Sequence, residues 1–304
     1  MSEGSNGDST ALYGYRSVRS RALKQQLNSL ADNWKGAGIL ALGSISTILV
    51  YFLQVGYTSV NPIFRLGDSY PGWKIVKVFV GNTTYGNGRQ WYSQVGQDKT
   101  VREIFELIHG HCKQGFFLDL AANDASSLSN TKALEDHYNW TGICIEANFE
   151  YTWGLAHRKC DVYQAIVSAN TGDMVEFVEH PNGKPGWAGG IVSNKTDNKI
   201  GVNGNKVVRQ ATSLVDILHQ SQAPTVVDYF SFDVEGAEDL ILQKSVLEEY
   251  TFLVITVERP SQQLQEVLQR FGYEYLRDHG GFGDKMYVHS TMDKIQHVKS
   301  TFGS

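Results

Sequence analysis

Hydrophobic and polar positions between residues 100 and 290 form blocks that predict an alternation of strands and helices. Nearly continuous apolar runs predict buried strands, and stretches with helical spacing of apolar residues predict helices between them. The predicted strands are 116–120, 142–147, 162–167, 226–233, 252–258, 273–276 and 285–289. The predicted helices are 100–108, 129–138, 149–158, 213–219, 237–247 and 261–271. This order predicts an α/β fold with a mostly parallel sheet and helices on both faces.

An insertion interrupts this alternation over residues 174–211. Turn signals at Pro181-Asn182-Gly183 and Asn203-Gly204 predict a hairpin-like structure there. In a doubly wound sheet a ligand binds at the carboxyl ends of the strands, where the strand order reverses. We therefore expect the site among the residues that end the predicted strands.

An uncharged stretch lies between Lys35 and Arg65, and its residues 37–55 read AGILALGSISTILVYFLQV. As a helix it would be about 28 Å long, close to the thickness of the hydrocarbon core of a bilayer. A buried core helix or a cleaved signal peptide are the alternatives. A polar segment precedes the stretch, which is typical of a signal-anchor rather than a cleaved signal. We predict one transmembrane helix.

The charges divide unevenly around this stretch. The chain carries a net charge of -5, with an excess of basic residues up to Lys35 and an excess of acidic residues after it. The positive-inside rule then predicts a type II topology, with the C-terminal domain in the lumen of the Golgi or ER. An acidic domain also argues against a nucleic-acid partner. The expected segments are a cytosolic tail with a short helix (1–36), the anchor (37–55), a stem (56–92), the domain (93–290) and a C-terminal tail (291–304).

Cysteines and sequons bear weakly on this topology. Three cysteines are an odd number without metal-ligand spacing, and Cys144 is interpreted as a small hydrophobic residue of a buried strand. A disulfide between Cys112 and Cys160 is left open. The N-glycosylation sequons begin at Asn82, Asn139 and Asn194, all after the predicted anchor.

Acidic residues mark the ends of the first two strands. Asp119 lies in the strand that runs into the small-residue turn Ala121-Ala122-Asn123-Asp124-Ala125, where a ligand could approach the backbone. Glu146 ends the next strand, where a carboxylate could accept hydrogen bonds from both hydroxyls of a ribose, or cap a helix instead. The spacing of about twenty-five residues between the small-residue turn and Glu146 favours a nucleoside as the ligand.

Three blocks of the chain, in order, resemble FkbM-type methyltransferases of the Methyltransferase 21 kind, in their eukaryotic branch. They are SQVGQDKTV (93–101), FFLDLAANDASSLSNTKALEDHYNWTGICIEANFEYTWGLAHR (116–158) and SFDVEGAEDLIL (231–242). The resemblance spans nearly two-thirds of the chain. It implies a Rossmann-like sheet and S-adenosylmethionine (SAM) as the cofactor.

The resemblance also implies site residues. Asp119 matches the acid of the first strand, Glu146 matches the ribose-binding acid, and Asp161 lies where such folds often contact adenine. The loop that matches the binding segment for the methionine part of SAM contributes Ala121, Asn123 and Asp124. The family favours glycine where Ala121 and Ala125 stand, so this loop departs from its pattern. Ser129, Asn130 and Thr131 match a stretch that caps the next helix and fixes the loop.

Two acids at neighbouring strand ends are the candidates for chemistry. Asp233 and Glu258 should both face the cleft, and either could take a proton from an acceptor hydroxyl while SAM donates its methyl group. Glu235 is a further catalytic candidate, although acids at a helix start also serve as caps. Asp233, Glu235 and Glu238 cluster in the sequence and offer oxygen ligands, but acids around a helix start are more often caps and surface charge, so we assign no metal.

The sequence thus predicts a membrane-anchored SAM-dependent O-methyltransferase that acts on a sugar or another hydroxylated acceptor. Trp187 beside Gly189 and Gly190 could stack on a sugar face or belong to the core. The alternative is a protein that keeps the fold without turnover and serves as a binding or trafficking factor at the endomembrane. A dehydrogenase is the weakest alternative, because the G-x-G-x-x-G motif does not follow the first strand.

Overall fold

The structure is a computed structural model that describes residues 74–75, 90–110 and 114–303. The predicted tail (1–36) and anchor (37–55), most of the stem and Cys112 lie outside these ranges. Within them, no helix combines the length and the apolar character needed to cross a bilayer.

Eight strands form the central sheet, in the order β1-β4-β3-β2-β10-β11-β13-β12. Their bounds are Lys74–Ile75 (β1), Phe116–Leu120 (β2), Thr141–Glu146 (β3), Asp161–Gln164 (β4), Val226–Phe232 (β10), Thr251–Val257 (β11), Tyr273–His279 (β12) and Asp284–His289 (β13). The five strands from β4 to β11 pair in parallel, and β1, β13 and β12 join antiparallel. The prediction of a mixed α/β fold with a mostly parallel sheet is confirmed.

Helices cover both faces of the sheet. Their bounds are Gln97–His109 (α1), Lys132–Tyr138 (α2), Phe149–Leu155 (α3), Leu214–Gln220 (α4), Glu238–Ile241 (α5), Lys244–Glu249 (α6), Gln262–Arg270 (α7) and Ile295–Phe302 (α8). Alternate residues of one strand enter two separate cores: Phe117 packs with residues of α1 and α2, and Leu118 packs with residues of α4 and α7. Burial on both faces explains why the strands are nearly continuous apolar runs.

The insertion forms a small antiparallel sheet in the order β7-β6-β8. These strands are Met174–Val178 (β6), Gly190–Ile191 (β7) and Lys206–Gln210 (β8), and two short 3-10 helices, Pro181–Gly183 and Gly186–Ala188, lie between β6 and β7. Two further strands, Val167–Ser168 (β5) and Thr212–Ser213 (β9), pair in parallel at the base of the insertion. The side-chain amide of Asn148 donates to the carbonyls of Glu179 and Gly186, which fixes the insertion beside α3.

Three elements differ from their predictions. The helix predicted over 237–247 is divided into α5 and α6, because Leu242 leaves the helical conformation and the Gln243 side chain donates to carbonyls at the end of α5. The strand predicted over 162–167 ends at Gln164 and continues as the separate strand β5. Residues 291–304, predicted as a tail, include helix α8, whose Val298 is fully buried in the core.

Cys144 is buried in a core strand, as predicted, but the cysteine pairing was not predicted. Cys144 and Cys160 form a disulfide, with their Cα atoms 6.0 Å apart. Cys144 therefore is not merely a core hydrophobe, and Cys160 does not pair with Cys112. The reason is register: Ile143 pairs with Asp161 in the β3–β4 ladder, which brings the residue before β4 next to the middle of β3.

Candidate active site

The chain order defines a switch point between β2 and β10. From β2 the chain moves outward through β3 and β4, and it then returns to the other side of β2 with β10 and β11. Parallel strands that run in opposite directions from such a point leave a crevice at their carboxyl ends. A cleft of about 640 Å³ opens there, and it is lined by residues from the ends of β2, β3, β10 and β11 and from the insertion.

Asp119 lies at the floor of the cleft and is buried. Its Oδ2 accepts a hydrogen bond of 2.5 Å from the hydroxyl of Thr131, and the Arg158 guanidinium lies 3.8 Å from the same oxygen. Burial raises the pKa of Asp119, and Arg158 and the hydroxyls of Thr131 and Ser231 oppose this increase. The candidate acid of the first strand is thus held by a buried cation and two hydroxyls.

The loop after β2 has unusual backbone geometry. Ala121 and Asn123 are both in the left-handed region, with φ values of 64° and 56°. Ala125 is not, and its buried methyl group packs towards Gly154. The Asp124 carboxylate accepts the backbone N–H groups of residues 126 and 127 and so closes the turn. The departure from glycine therefore strains the backbone at Ala121 but not at Ala125.

Glu146 ends β3 and lies in the same cleft. Its Oε2 accepts the Asn123 N–H over 2.7 Å, and its Oε1 accepts the Asn148 N–H over 2.6 Å. Burial raises the pKa of Glu146 to about 7, although these hydrogen bonds oppose the increase. The Ala147 N–H also donates to this carboxylate, so three of its about four acceptor positions are used within the protein and one remains for a ligand hydroxyl.

Asp161 is not brought into the cleft. It begins β4 and pairs in register with Ile143, whereas the strand end that reaches the cleft edge is Gln164, opposite Glu146. An acid at the amino end of a parallel strand faces the opposite edge of the sheet from the ligand. The structure gives no support to the predicted adenine contact of Asp161.

Asp233 and Glu258 follow neighbouring strands directly. Phe232 pairs with Val257, and the Glu258 N–H donates to the Phe232 carbonyl over 3.0 Å, so both carboxyl groups leave the sheet at the same level. Asp233 is exposed and lines the cleft at the strand ends. Desolvation there, followed by the adjacent Glu258 carboxylate, raises the pKa of Asp233 well above its ordinary value. The neighbouring carboxylate thus favours a proton on Asp233.

Glu235 and Asp197 add two carboxylates to this region, and Arg259 lies between them. Sequence reasoning missed Asp197 and Arg259. The Arg259 guanidinium lies 2.5 Å from Asp197 Oδ2 and 3.4 Å from Glu235 Oε2, and it also contacts Glu258. Burial and the Glu258 carboxylate raise the pKa of Glu235 to about 7. The turn formed by Glu235 and Gly236, both with positive φ, lets the Asp197 N–H donate to the Glu235 carbonyl over 3.0 Å.

Among the described residues, Asp197, Glu235 and Glu258 have carboxylate oxygens within 4.8 Å of one another and could ligate a hard divalent cation. Arg259 contacts all three, so part of their charge is already balanced. Glu238 instead accepts the Val234 N–H over 3.2 Å and so closes the turn before α5, and it does not cap the helix.

Sequence reasoning missed four charged residues of the site. Asp197, Arg259 and Asp284 line the cleft, from the insertion, the loop after β11 and the start of β13, and Arg158 lies buried behind Asp119. Glu258-Arg259 was a readable signal, because a charged pair directly after a buried strand lies at the ligand edge. The other three depend on contacts between distant segments. Of the aromatic residues, Trp187 lines the cleft and is half exposed, so it is not a core tryptophan.

The sheet order and the polar cleft at its switch point define an α/β fold of the class that binds nucleotide-containing cofactors. The chain belongs to the FkbM methyltransferase family: residues 119–280, more than half of its length, match the family described as Methyltransferase FkbM domain. The matched region begins at Asp119 and includes Glu146, Asp233 and Glu258. Comparison with curated proteins gave no match, and comparison with solved structures gave none either.

Proposed function

We propose that the protein is a SAM-dependent methyltransferase that methylates a hydroxyl group of a sugar or of another small hydroxylated acceptor. One observation carries the proposal. A single cleft joins the residues suited to the cofactor, Asp119 and Glu146, to the acid pair Asp233 and Glu258. Methyl transfer needs a donor and an acceptor held side by side with a base at hand.

The residues of the first half of the cleft fit SAM. The Glu146 carboxylate lines the cleft and keeps an acceptor position for a ribose hydroxyl, and the loop that contains Ala121 and Asn123 brings backbone close to the ligand space. The Asp119 carboxylate offers a negative charge for a cationic amino group. A volume of about 640 Å³ suits a ligand of this size together with a small acceptor. SAM would supply a methyl group activated by its sulfonium.

The second half of the cleft provides the base. Asp233 is reachable from the cleft, and its raised pKa lets its carboxylate take a proton more readily than an ordinary aspartate does. Glu258 acts on Asp233 through its charge and is fixed by Arg259. We assign Asp233 as the general base for an acceptor hydroxyl. Glu235, which shares Arg259, has a supporting electrostatic role.

The test is incubation of the purified full-length chain with isotopically labelled SAM and a panel of glycans, lipids and small alcohols, followed by mass spectrometry. We expect one acceptor class to gain a labelled methyl group on oxygen. Calorimetric titration with SAM is run in parallel. The absence of binding at high micromolar SAM would contradict the proposal.

A second candidate is a protein that binds through the same cleft without turnover at the endomembrane. Two observations favour it: Ala121 carries a methyl group in left-handed backbone, and the Arg259 guanidinium extends among the carboxylates of the acceptor half. SAM binding without transfer to any acceptor of the panel would support this candidate over the enzyme.

We also propose that residues 37–55 form a single membrane anchor and that the domain is lumenal. The Cys144–Cys160 disulfide supports it, because disulfides persist in oxidising compartments. Asn139 and Asn194, the sequon residues within the described ranges, are both exposed. Glycosidase treatment of the protein expressed in animal cells should increase its mobility on a gel. An unchanged mobility, together with reduced cysteines, would count against a lumenal domain.

A further inference from the structure

A fully buried arginine lies behind the cofactor half of the cleft. Arg158 follows α3, and its side chain has no exposed surface. Its NH2 group donates to the Thr131 hydroxyl over 2.9 Å, and its NH1 group donates to the Ser129 hydroxyl over 3.2 Å. Both hydroxyls belong to the segment between the cofactor loop and α2. Arg158 therefore fixes the position of that segment through these two hydrogen bonds.

The same guanidinium acts on Asp119 through Thr131. The Thr131 hydroxyl accepts from Arg158 and donates to Asp119 Oδ2, which forms a chain from cation to hydroxyl to carboxylate. The direct separation of Arg158 from Asp119 is 3.8 Å, too long for a hydrogen bond. Orientation of Asp119 thus depends on the hydroxyl, and its charge is balanced by the guanidinium.

Glu135 holds Arg158 from the other side. Its Oε2 lies 3.3 Å from the guanidinium, and its two oxygens accept the backbone N–H groups of Lys159 and Cys160 over 2.9 and 3.2 Å. The disulfide at Cys160 ties this segment to Cys144, which is in register with Asp119. The arginine is consequently a fixed element rather than a mobile one.

We propose that Arg158 is a positioning residue for the cofactor: by fixing Thr131 and balancing the charge of Asp119, it sets the affinity of the cleft for SAM. This inference rests on the proposed function. Arg158 does not line the cleft, so it acts through Asp119 rather than by touching the ligand.

The charged and titratable groups that face Asp119 are Arg158, Glu135 from α2, Glu146 from β3 and Tyr229 from β10. Arg158 lowers the pKa of Asp119, whereas burial and Glu135 raise it. Loss of the guanidinium therefore moves the pKa of Asp119 upward. At a given pH a larger share of Asp119 would then be protonated, which weakens its attraction for a cationic group, and a higher pH would restore the carboxylate.

The experiment compares SAM binding to the full-length chain and to Arg158→Met by calorimetric titration over a pH series. We expect about tenfold weaker binding at neutral pH, the order expected when a hydrogen bond from a charged group is lost, and a pH midpoint of binding displaced upward. Arg158→Lys keeps the charge and should recover part of the affinity. Thr131→Val, which leaves the arginine in place, should weaken binding as well and serves if Arg158→Met does not fold.

Arg102→Met is the matched control. Arg102 is also buried and ion-paired, to Glu106 at 3.6 Å, and does not line the cleft. We expect a comparable loss of thermal stability with unchanged SAM affinity. Equal loss of affinity in Arg102→Met, or an unchanged affinity and pH midpoint in Arg158→Met, would overturn the inference alone. No binding by the unmodified chain would overturn the proposed function and this inference with it.

Discussion

The backbone N–H of Asn123 donates a 2.7 Å hydrogen bond to the carboxylate of Glu146. This bond joins the loop after β2 to the end of β3, so the two parts of the predicted cofactor site are fixed relative to each other. The loop does not need glycines to keep its place, because the carboxylate holds it. Glu146 thus anchors the loop, and under the proposed function it also accepts a hydrogen bond from the ribose of SAM.

Glu146→Gln tests both roles with little change in shape. We expect SAM affinity to fall by about 1.5–3 kcal/mol, the contribution of hydrogen bonds to a charged acceptor. Calorimetric titration above pH 7 is the appropriate measurement, because burial raises the pKa of Glu146 to about 7. Glu150→Gln, an exposed change in the first turn of α3, is the control. Equal affinity in Glu146→Gln would remove this residue from the ribose site.

Ala121 and Ala125 give opposite predictions for the same substitution. Ala121 has a φ of 64°, so Ala121→Gly relieves strain and should raise the free energy of unfolding by up to about 1 kcal/mol. Ala125 has ordinary backbone and a buried methyl group, so Ala125→Gly should lower it by about 1 kcal/mol. Urea unfolding measures both. The same sign for the two variants would contradict the assigned geometry.

The fold could be predicted from the sequence because each strand and helix is marked by the apolar pattern of its own short stretch of chain. The runs in β2, β10 and β11 are mostly apolar, as is typical of strands that are buried on both faces of a sheet. Residues that end or follow a parallel strand lie at the carboxyl edge of the sheet, where the cleft opens. Glu146, Asp233 and Glu258 could therefore be placed in the cleft from the predicted strand ends.

The remainder of the site depends on register and on contacts between distant segments. The cofactor role of Asp161 came from the resemblance alone, and the structure shows that this acid begins β4, at the edge of the sheet away from the cleft. The Cys144–Cys160 pair follows from the β3–β4 register, and Asp197 enters through the packing of the insertion on Glu235. None of these relationships leaves a periodic signal in the chain.

The disulfide predicts a specific loss of stability. It closes a loop with a sequence separation of 16 residues. Removing a crosslink around a loop of this length costs about 3 kcal/mol in the chain-entropy description. Cys144→Ser/Cys160→Ser should show this loss in urea unfolding, and reduction of the unmodified protein should reproduce it. Peptide mapping after alkylation should find only Cys112 labelled before reduction, and labelled Cys144 in the unreduced protein would contradict the pairing.

Asp233→Asn separates binding from chemistry. The amide keeps the shape of the side chain but cannot take a proton, so we expect SAM affinity within about twofold and turnover lowered by about 10²–10⁴-fold. The measurement is transfer of label from SAM to the acceptor found in the panel. Asp239→Asn, an exposed change on α5, is the control. A fully active Asp233→Asn would clear this residue of the role of base.

The acidic half of the cleft predicts how stability depends on pH. Burial raises the pKa of Glu235 and of Glu238 from 4.5 to about 7, and the pKa of Asp284 from 3.8 to about 6. In this window the folded protein binds more protons than the unfolded chain does. The free energy of unfolding contributed by these groups is therefore greatest below their unfolded pKa values and falls as the pH rises towards 7.

Glu258→Gln should reduce this fall, because the Glu258 carboxylate helps to raise the pKa of Asp233, Glu235, Glu238 and Asp284. Urea unfolding at about pH 5 and about pH 8 gives the change in the free energy of unfolding with pH, one slope for the unmodified protein and one for Glu258→Gln. The comparison uses the change between the two pH values, so a general loss of stability from the broken Glu258–Arg259 pair does not affect it. Glu103→Gln, an exposed change on α1, should leave the slope as it is. A slope in Glu258→Gln equal to that of the unmodified protein would show that these carboxyl groups do not interact as their positions imply.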